Sequence, residues 1–228
     1  YHEDYGRMSD KCSTSSAVYF ELSDGRIGFC TQCFKDSVEG NYNPSGWYRW
    51  IDSTARSGIA RILTYGAPNN GDTSDEGIKA TALAIWDMAA GYYKVDATSR
   101  GHGTAPFYAN TSGTIRAKYD EILAKIRKHG VIPSFATDSK YAITSAQTIT
   151  LTYDRTSGLY KGSATDTNGV LGGYAFSSAQ SDMTFAVNGN DLTISASTVP
   201  ADGVTITAVR NNARQGVVVW SDGHYGPD

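Results

Sequence analysis

The sequence predicts an α+β fold, a β-sandwich or barrel built from strands at both ends of the chain with three helices inserted between them. Three observations predict it. Apolar and polar side chains alternate with period two over residues 16–34 and again from Tyr141 onward, the pattern of half-buried strands. Asp-Gly and Asn-Gly pairs, which favour tight hairpin turns, punctuate those stretches at 24–25, 168–169, 188–189 and 202–203. Between about 52 and 130 the apolar spacing changes to that of helices. With 228 residues, 40% of them hydrophobic, the chain has enough apolar surface for a core without a metal or disulfide staple. The expected organisation is one domain over 1–228, with a β part of 1–50 plus 140–228 and a helical part of 51–139.

The first two strands flank Asp24-Gly25, the second running through Ile27 and Phe29 into Cys30. Residues 40–46, rich in Gly, Asn and Pro, read as a loop. The first helix carries Ile59, Ile62 and Leu63, with Asp52 or Ser53 as cap and Gly66 and Pro68 at its end. The second opens with Thr73-Ser74-Asp75-Glu76, where the Thr73 hydroxyl and the Glu76 carboxylate are spaced to satisfy each other's exposed backbone donors. Ile78, Ala82, Ile85, Trp86 and Ala89 then line one face. The third runs from about Ser112 to His129 with Gly130 as its C-terminal cap. Strands are predicted over 148–153, 170–176, 183–187, 192–196, 204–209 and 217–220.

The formal charge of −3 is spread over 20 basic and 23 acidic residues without a block of either sign, which excludes nucleic acid and anionic membranes as main partners. No apolar run approaches the ~20 residues of a membrane-spanning helix. Tyr1 opens no charged-then-apolar leader, so the sequence reads as a mature fragment of a longer protein. Fifteen tyrosines suit a surface-exposed protein rich in strands and turns.

Three cysteines leave at least one outside any internal disulfide. Cys30, at the end of a strand, is held where a reactive thiol needs to be held, although a small polarisable residue also simply fills a core. Cys30 and Cys33 have the spacing of a zinc knuckle, yet zinc requires two more soft ligands and the chain offers only Cys12 and four scattered histidines. A redox dithiol belongs between a strand and a helix, whereas Cys33 runs into a Gly/Asn/Pro loop. A cysteine hydrolase or transferase requires a histidine base, and His2, His102, His129 and His224 lie in no motif that marks one. No metal and no cofactor is expected.

Three places resemble the thioester domains of surface adhesins of Gram-positive bacteria, the TQxA-type, class I-like group. Phe29-Cys30, an aromatic then a cysteine closing an early strand, is similar to the reactive-cysteine motif. Thr81-Ala82-Leu83-Ala84-Ile85-Trp86 resembles the helical signature T-Q-x-A-x-W, with Ala82 where the signature has Gln. Arg214-Gln215-Gly216 leading into the apolar residues 217–220 resembles the segment that supplies the bond-forming glutamine.

The resemblance implies an internal thioester between Cys30 and a glutamine, with Gln215 preferred, Gln180 next, and Gln147 also in the strand-rich part. A lysine amine of a host surface or matrix protein then attacks, and capture is covalent and single-turnover rather than enzymatic. Phe29, Trp86 and Trp220 are the candidates for keeping water from the bond, and Ala82 lies beside it. Cys12 and Cys33 remain for a disulfide. The implied molecule is extracellular, monomeric and held at the cell wall by other parts of its parent. Two further classes stay open: a non-covalent carbohydrate- or protein-binding sandwich presenting Tyr and Trp, and a cysteine-dependent acyltransferase.

Overall fold

A computed structural model describes residues 19–31, 42–48, 50–137, 147–200, 204–211 and 217–221, with Trp220 and Ser221 described by backbone only. The chain divides into two compact units, Tyr1–His129 with Arg214–Asp228, and Gly130–Ala213. It is an α+β fold of several antiparallel sheets and a helical part. The N-terminal strands and the last strand fall with the helices, so this division differs from the expected 1–50 plus 140–228 against 51–139. The physical reason is apolar cover: Phe29, Trp47 and Tyr48 pack against the helical core.

In the first unit, strands β1 (Tyr19–Glu21) and β2 (Ile27–Phe29) form the hairpin expected around Asp24-Gly25. Gly25 has φ +78°, a conformation open to glycine at little cost, and its N–H donates to the Leu22 carbonyl at 2.8 Å. Strand β3 (Asn43–Ser45) lies where only a loop was expected. Its partner, β10 (Val219–Ser221), comes from the far end of the chain and runs antiparallel to it. A partner so distant in sequence gives Asn-Pro-Ser no local strand signature.

Helix α1 (Ser53–Tyr65) starts on Asp52, whose carboxylate accepts from the Ala55 N–H at 2.7 Å. Helix α2 (Asp75–Ala89) is capped by Ser74 rather than by the expected Thr73–Glu76 pair. The Ser74 hydroxyl accepts from Gly77 N–H at 3.2 Å and donates to Asp72 at 2.7 Å. Lys118 contacts the same Asp72, and its ammonium holds that carboxyl down at about 2. A one-turn helix α3 (Pro106–Ala109), not anticipated, precedes α4 (Gly113–Arg127). Helix α4 ends on Lys128 in right-handed conformation, so Gly130 is not its cap.

Glycine sets how closely α1 and α2 approach. A Cβ at Gly58 would lie 2.3 Å from Met88 Sδ, and one at Gly66 would lie 2.5 Å from Thr81 Oγ1. The core between the helices includes Ile59, Ile62, Leu83, Trp86, Tyr119 and Ile126, all nearly or fully buried.

In the second unit, β4 (Thr152–Asp154), β5 (Leu159–Thr165), β8 (Asp191–Ala196) and β7 (Thr184–Asn188) form one antiparallel sheet in that order. β6 (Tyr174–Ser178) pairs separately with β9 (Ile206–Arg210). The turn after Asn188 joins β7 to β8 as expected, with Gly189 at φ +59°. Asn168-Gly169 instead closes a loop around Asp166, whose carboxylate accepts from the N–H groups of Ser134, Asn168 and Val170. Strand β5 was not anticipated, because Lys161 and Gly162 interrupt its alternation. Gly162 is required there, since a Cβ would sit 2.7 Å from the Thr150 carbonyl. A small core of Leu171, Leu192 and Ile194 holds this unit. Asp202-Gly203 lies outside the described residues.

Candidate functional site

Cys30 follows β2 directly and is half-buried. Its backbone carbonyl accepts a hydrogen bond from the Trp86 indole N–H at 2.8 Å. The bond joins the end of an early strand to the middle of α2 across 56 residues of sequence. Trp86 is 2% exposed, so its N–H has no water to turn to and the carbonyl satisfies it. The Phe107 ring packs on the indole with centroids 5.1 Å apart, and Phe29 packs against the same core. The position of the sulfur's peptide is therefore fixed by the neighbouring strand and by a rigid, buried aromatic.

The other signature residues of α2 are structural around this contact. Thr81 is fully buried; its hydroxyl donates to the Gly77 carbonyl and accepts from the Ala67 N–H, both at 2.9 Å, which ties the end of α1 to α2. Ala82 precedes Trp86 by one helical turn, on the same face, and is 1% exposed. It fills its place as a methyl group and offers no hydrogen bond, where a glutamine would bring a carboxamide.

Of the three glutamines, Gln215 lies outside the described residues. The strand it leads into, β10, belongs with β3 to the unit that holds Cys30. Gln180 belongs to the other unit, where its carboxamide N–H donates to Asp182 at 2.8 Å and to Thr198 Oγ1 at 3.3 Å. Gln147, in that unit too, donates to the Ser134 carbonyl at 3.4 Å. Trp220 is placed in β10 opposite Pro44. Cys12 and Cys33, with His2 and His224, lie outside the described residues. His129 Nδ1 and the Tyr65 hydroxyl share a hydrogen bond 2.7 Å long, and His102 sits in an exposed loop. Among the described residues no three His, Cys, Asp or Glu side chains converge as a metal site, and no helix is long and apolar enough to cross a membrane.

Asp87, the residue after Trp86, had no signal in the sequence beyond being an acid on a helix of apolar neighbours. It is fully buried, and its carboxylate accepts from Phe107 N–H at 3.2 Å, Tyr108 N–H at 2.8 Å and the Tyr119 hydroxyl at 2.8 Å. Burial pushes this carboxyl up to about 7, against the pull of the three donors.

Residues 27–128 match a family model described as the thioester domain. That stretch is similar to a thioester domain. The matched stretch begins with β2 and ends after α4, so it contains Cys30, the signature on α2 and Asp87, while Gln215 lies beyond it. Among solved structures, the thioester domain of the Staphylococcus aureus TIE protein has a similar fold, with a TM-score of 0.53 and 19% identity. That likeness covers 91% of this chain and 83% of the other. No curated protein sequence matches.

Proposed function

We propose that this thioester domain is an adhesin module of a bacterial surface protein, and that it captures its partner covalently through a bond between Cys30 and Gln215. The observation that carries the reading is the indole–carbonyl contact between Trp86 and Cys30, because it anchors the cysteine's peptide against the family's signature helix. Gln215 is favoured as the acyl donor for two reasons: its strand shares a unit with Cys30, and the Gln180 carboxamide is engaged by Asp182 and Thr198. Both units together form the domain in this reading.

In the first step the Cys30 thiolate attacks the Gln215 carboxamide carbon. The C–S bond forms, the C–N bond breaks, and the thiol's proton leaves with the amide nitrogen as ammonia. The thioester keeps its reactivity because sulfur donates little resonance to the carbonyl and a thiolate leaves readily. A lysine amine of a host surface protein then attacks the same carbon. A C–N bond replaces the C–S bond, the amine's proton passes to sulfur, and the two proteins are joined by an amide. Holding both groups in place removes most of the entropic barrier to the first step. Ala82 brings no amide beside the site, so the chain relies on aromatic cover and backbone anchoring.

Intact-mass measurement tests this. The wild-type chain should be lighter than its sequence by one ammonia and should gain one methylamine on incubation, with Cys30→Ala and Gln215→Ala showing neither change. An unmodified wild-type mass that ignores methylamine refutes the covalent reading and leaves a non-covalent binding module. Persistence in Gln215→Ala, with loss in Gln180→Ala, moves the acyl donor to Gln180.

A further inference from the structure

Helix α3 is a single turn whose N-cap, Ala105, has no side chain able to accept from the turn's exposed N–H groups. Asp87 supplies the missing acceptor from α2, taking both the Phe107 and the Tyr108 N–H. The same turn presents the Phe107 ring to Trp86, and Trp86 in turn donates to the Cys30 carbonyl. A contiguous series of contacts therefore runs from a buried carboxylate, through one turn of backbone and one aromatic pair, to the peptide of the reactive cysteine. We infer that Asp87 is a positioning residue for Cys30: its carboxylate anchors α3 so that Phe107 holds the indole on the Cys30 carbonyl, and protonation loosens that hold. The consequence for amine capture rests on the thioester reading above; the coupling to Trp86 does not.

The geometry is that of the ionised acid, because all three groups facing it are donors and a protonated carboxyl must displace or reverse one of them. Tyr119 is the one able to reverse, since a hydroxyl also accepts. The groups around Asp87 leave it as the one that titrates near neutrality. From α4 come Tyr119, pushed well above its ordinary range by burial and then by the Asp87 charge, and Arg116, whose guanidinium lies 3.8 Å over the Tyr108 ring. After α2 come Tyr92, raised chiefly by burial, and Tyr93, pushed up by burial to about 12 and faced by Arg127. The three direct donors are neutral, so burial outweighs them and Asp87 changes charge at about 7.

The test is a pH titration of the Trp86 indole N–H by ¹H–¹⁵N NMR, the resonance being assigned by its loss in Trp86→Phe. In the wild type it should shift with a midpoint near the Asp87 value of about 7. In Asp87→Asn it should not move over that range. Tyr119→Phe removes one of the donors that pull the carboxyl down, so it should raise the midpoint. This variant keeps both backbone donors and carries the test if Asp87→Asn does not fold. The methylamine rate gives the second arm. The ratio of wild-type to Asp87→Asn rates, in which the amine's own titration cancels, should rise through the same midpoint, by up to about a hundredfold if the sulfur is displaced by as much as an ångström. An indole resonance that does not titrate, or that titrates identically in Asp87→Asn, overturns the coupling. A flat rate ratio beside a titrating indole overturns the role at Cys30. A wild type without ammonia loss defeats the thioester reading alone, and the indole titration still decides the coupling.

Discussion

Asp87 sits fully buried on a helix that is otherwise Ala, Ile, Leu, Trp and Met for most of its length, and such a carboxyl has a consequence for stability as well as for the site. Its folded-state value of about 7 lies above the ~3.9 of an unfolded chain, so between the two the native state binds a proton that the unfolded state does not. The stability contributed by protonated Asp87 is fully present below about pH 4 and is lost as the pH rises through about 7. Half-buried carboxylates held down by partners, such as Asp154 and Asp182, act in the opposite sense as the pH falls. A comparison with Asp87→Asn isolates the effect. Urea denaturation should show the wild type losing roughly 4 kcal/mol relative to Asp87→Asn between about pH 4 and 8, and a constant difference between the two contradicts the shift. Cys30, Phe29, Ala82 and Trp86 were singled out by residue type and motif. Asp87 was not, because an acid at one helical position reads as solvated until the donors from Phe107, Tyr108 and Tyr119 are seen around it.

Helices α1 and α2 pack closely, and the packing depends on two glycines. At Gly58 an added Cβ meets Met88 Sδ at 2.3 Å and Met88 Cε at 2.5 Å, in a core where Met88 is fully buried. Gly58→Ala should destabilise by about 1–3 kcal/mol through overpacking, more than offsetting the alanine's better helix propensity. Met88→Ala opens a cavity costing about 2–5 kcal/mol by itself. In the double variant the two changes compensate each other, so its measured loss in a denaturation midpoint should fall below the sum of the singles. An additive pair refutes the contact. The three long helices were legible from apolar spacing and caps to within a few residues, because those signals are local. The one-turn α3 was not, since four residues carry no period and its capping acceptor comes from another helix. Strand β3 was hidden for the same reason, as its ladder partner lies at the far end of the chain.

Across the molecule the two units hold separate cores, and all four tryptophans lie in the unit of Cys30. Ile194→Ala, in the smaller core, should cost about 2–5 kcal/mol, and tyrosine-sensitive and far-UV signals should shift to lower denaturant more than tryptophan emission does. Equal shifts in every signal indicate that the two cores unfold as one. The amino-acid sequence by itself determined the mixed composition of the fold, the long helices and the β1–β2 hairpin, and it singled out Cys30 as the candidate thiol, because periodicity, turn dipeptides and motifs act over a few neighbouring residues. Only the tertiary structure decided that β3 pairs with β10, that Trp86 grips the Cys30 carbonyl, and that Asp87 lies buried behind it. Those contacts join residues tens to nearly two hundred positions apart, and no local pattern encodes a partner that distant.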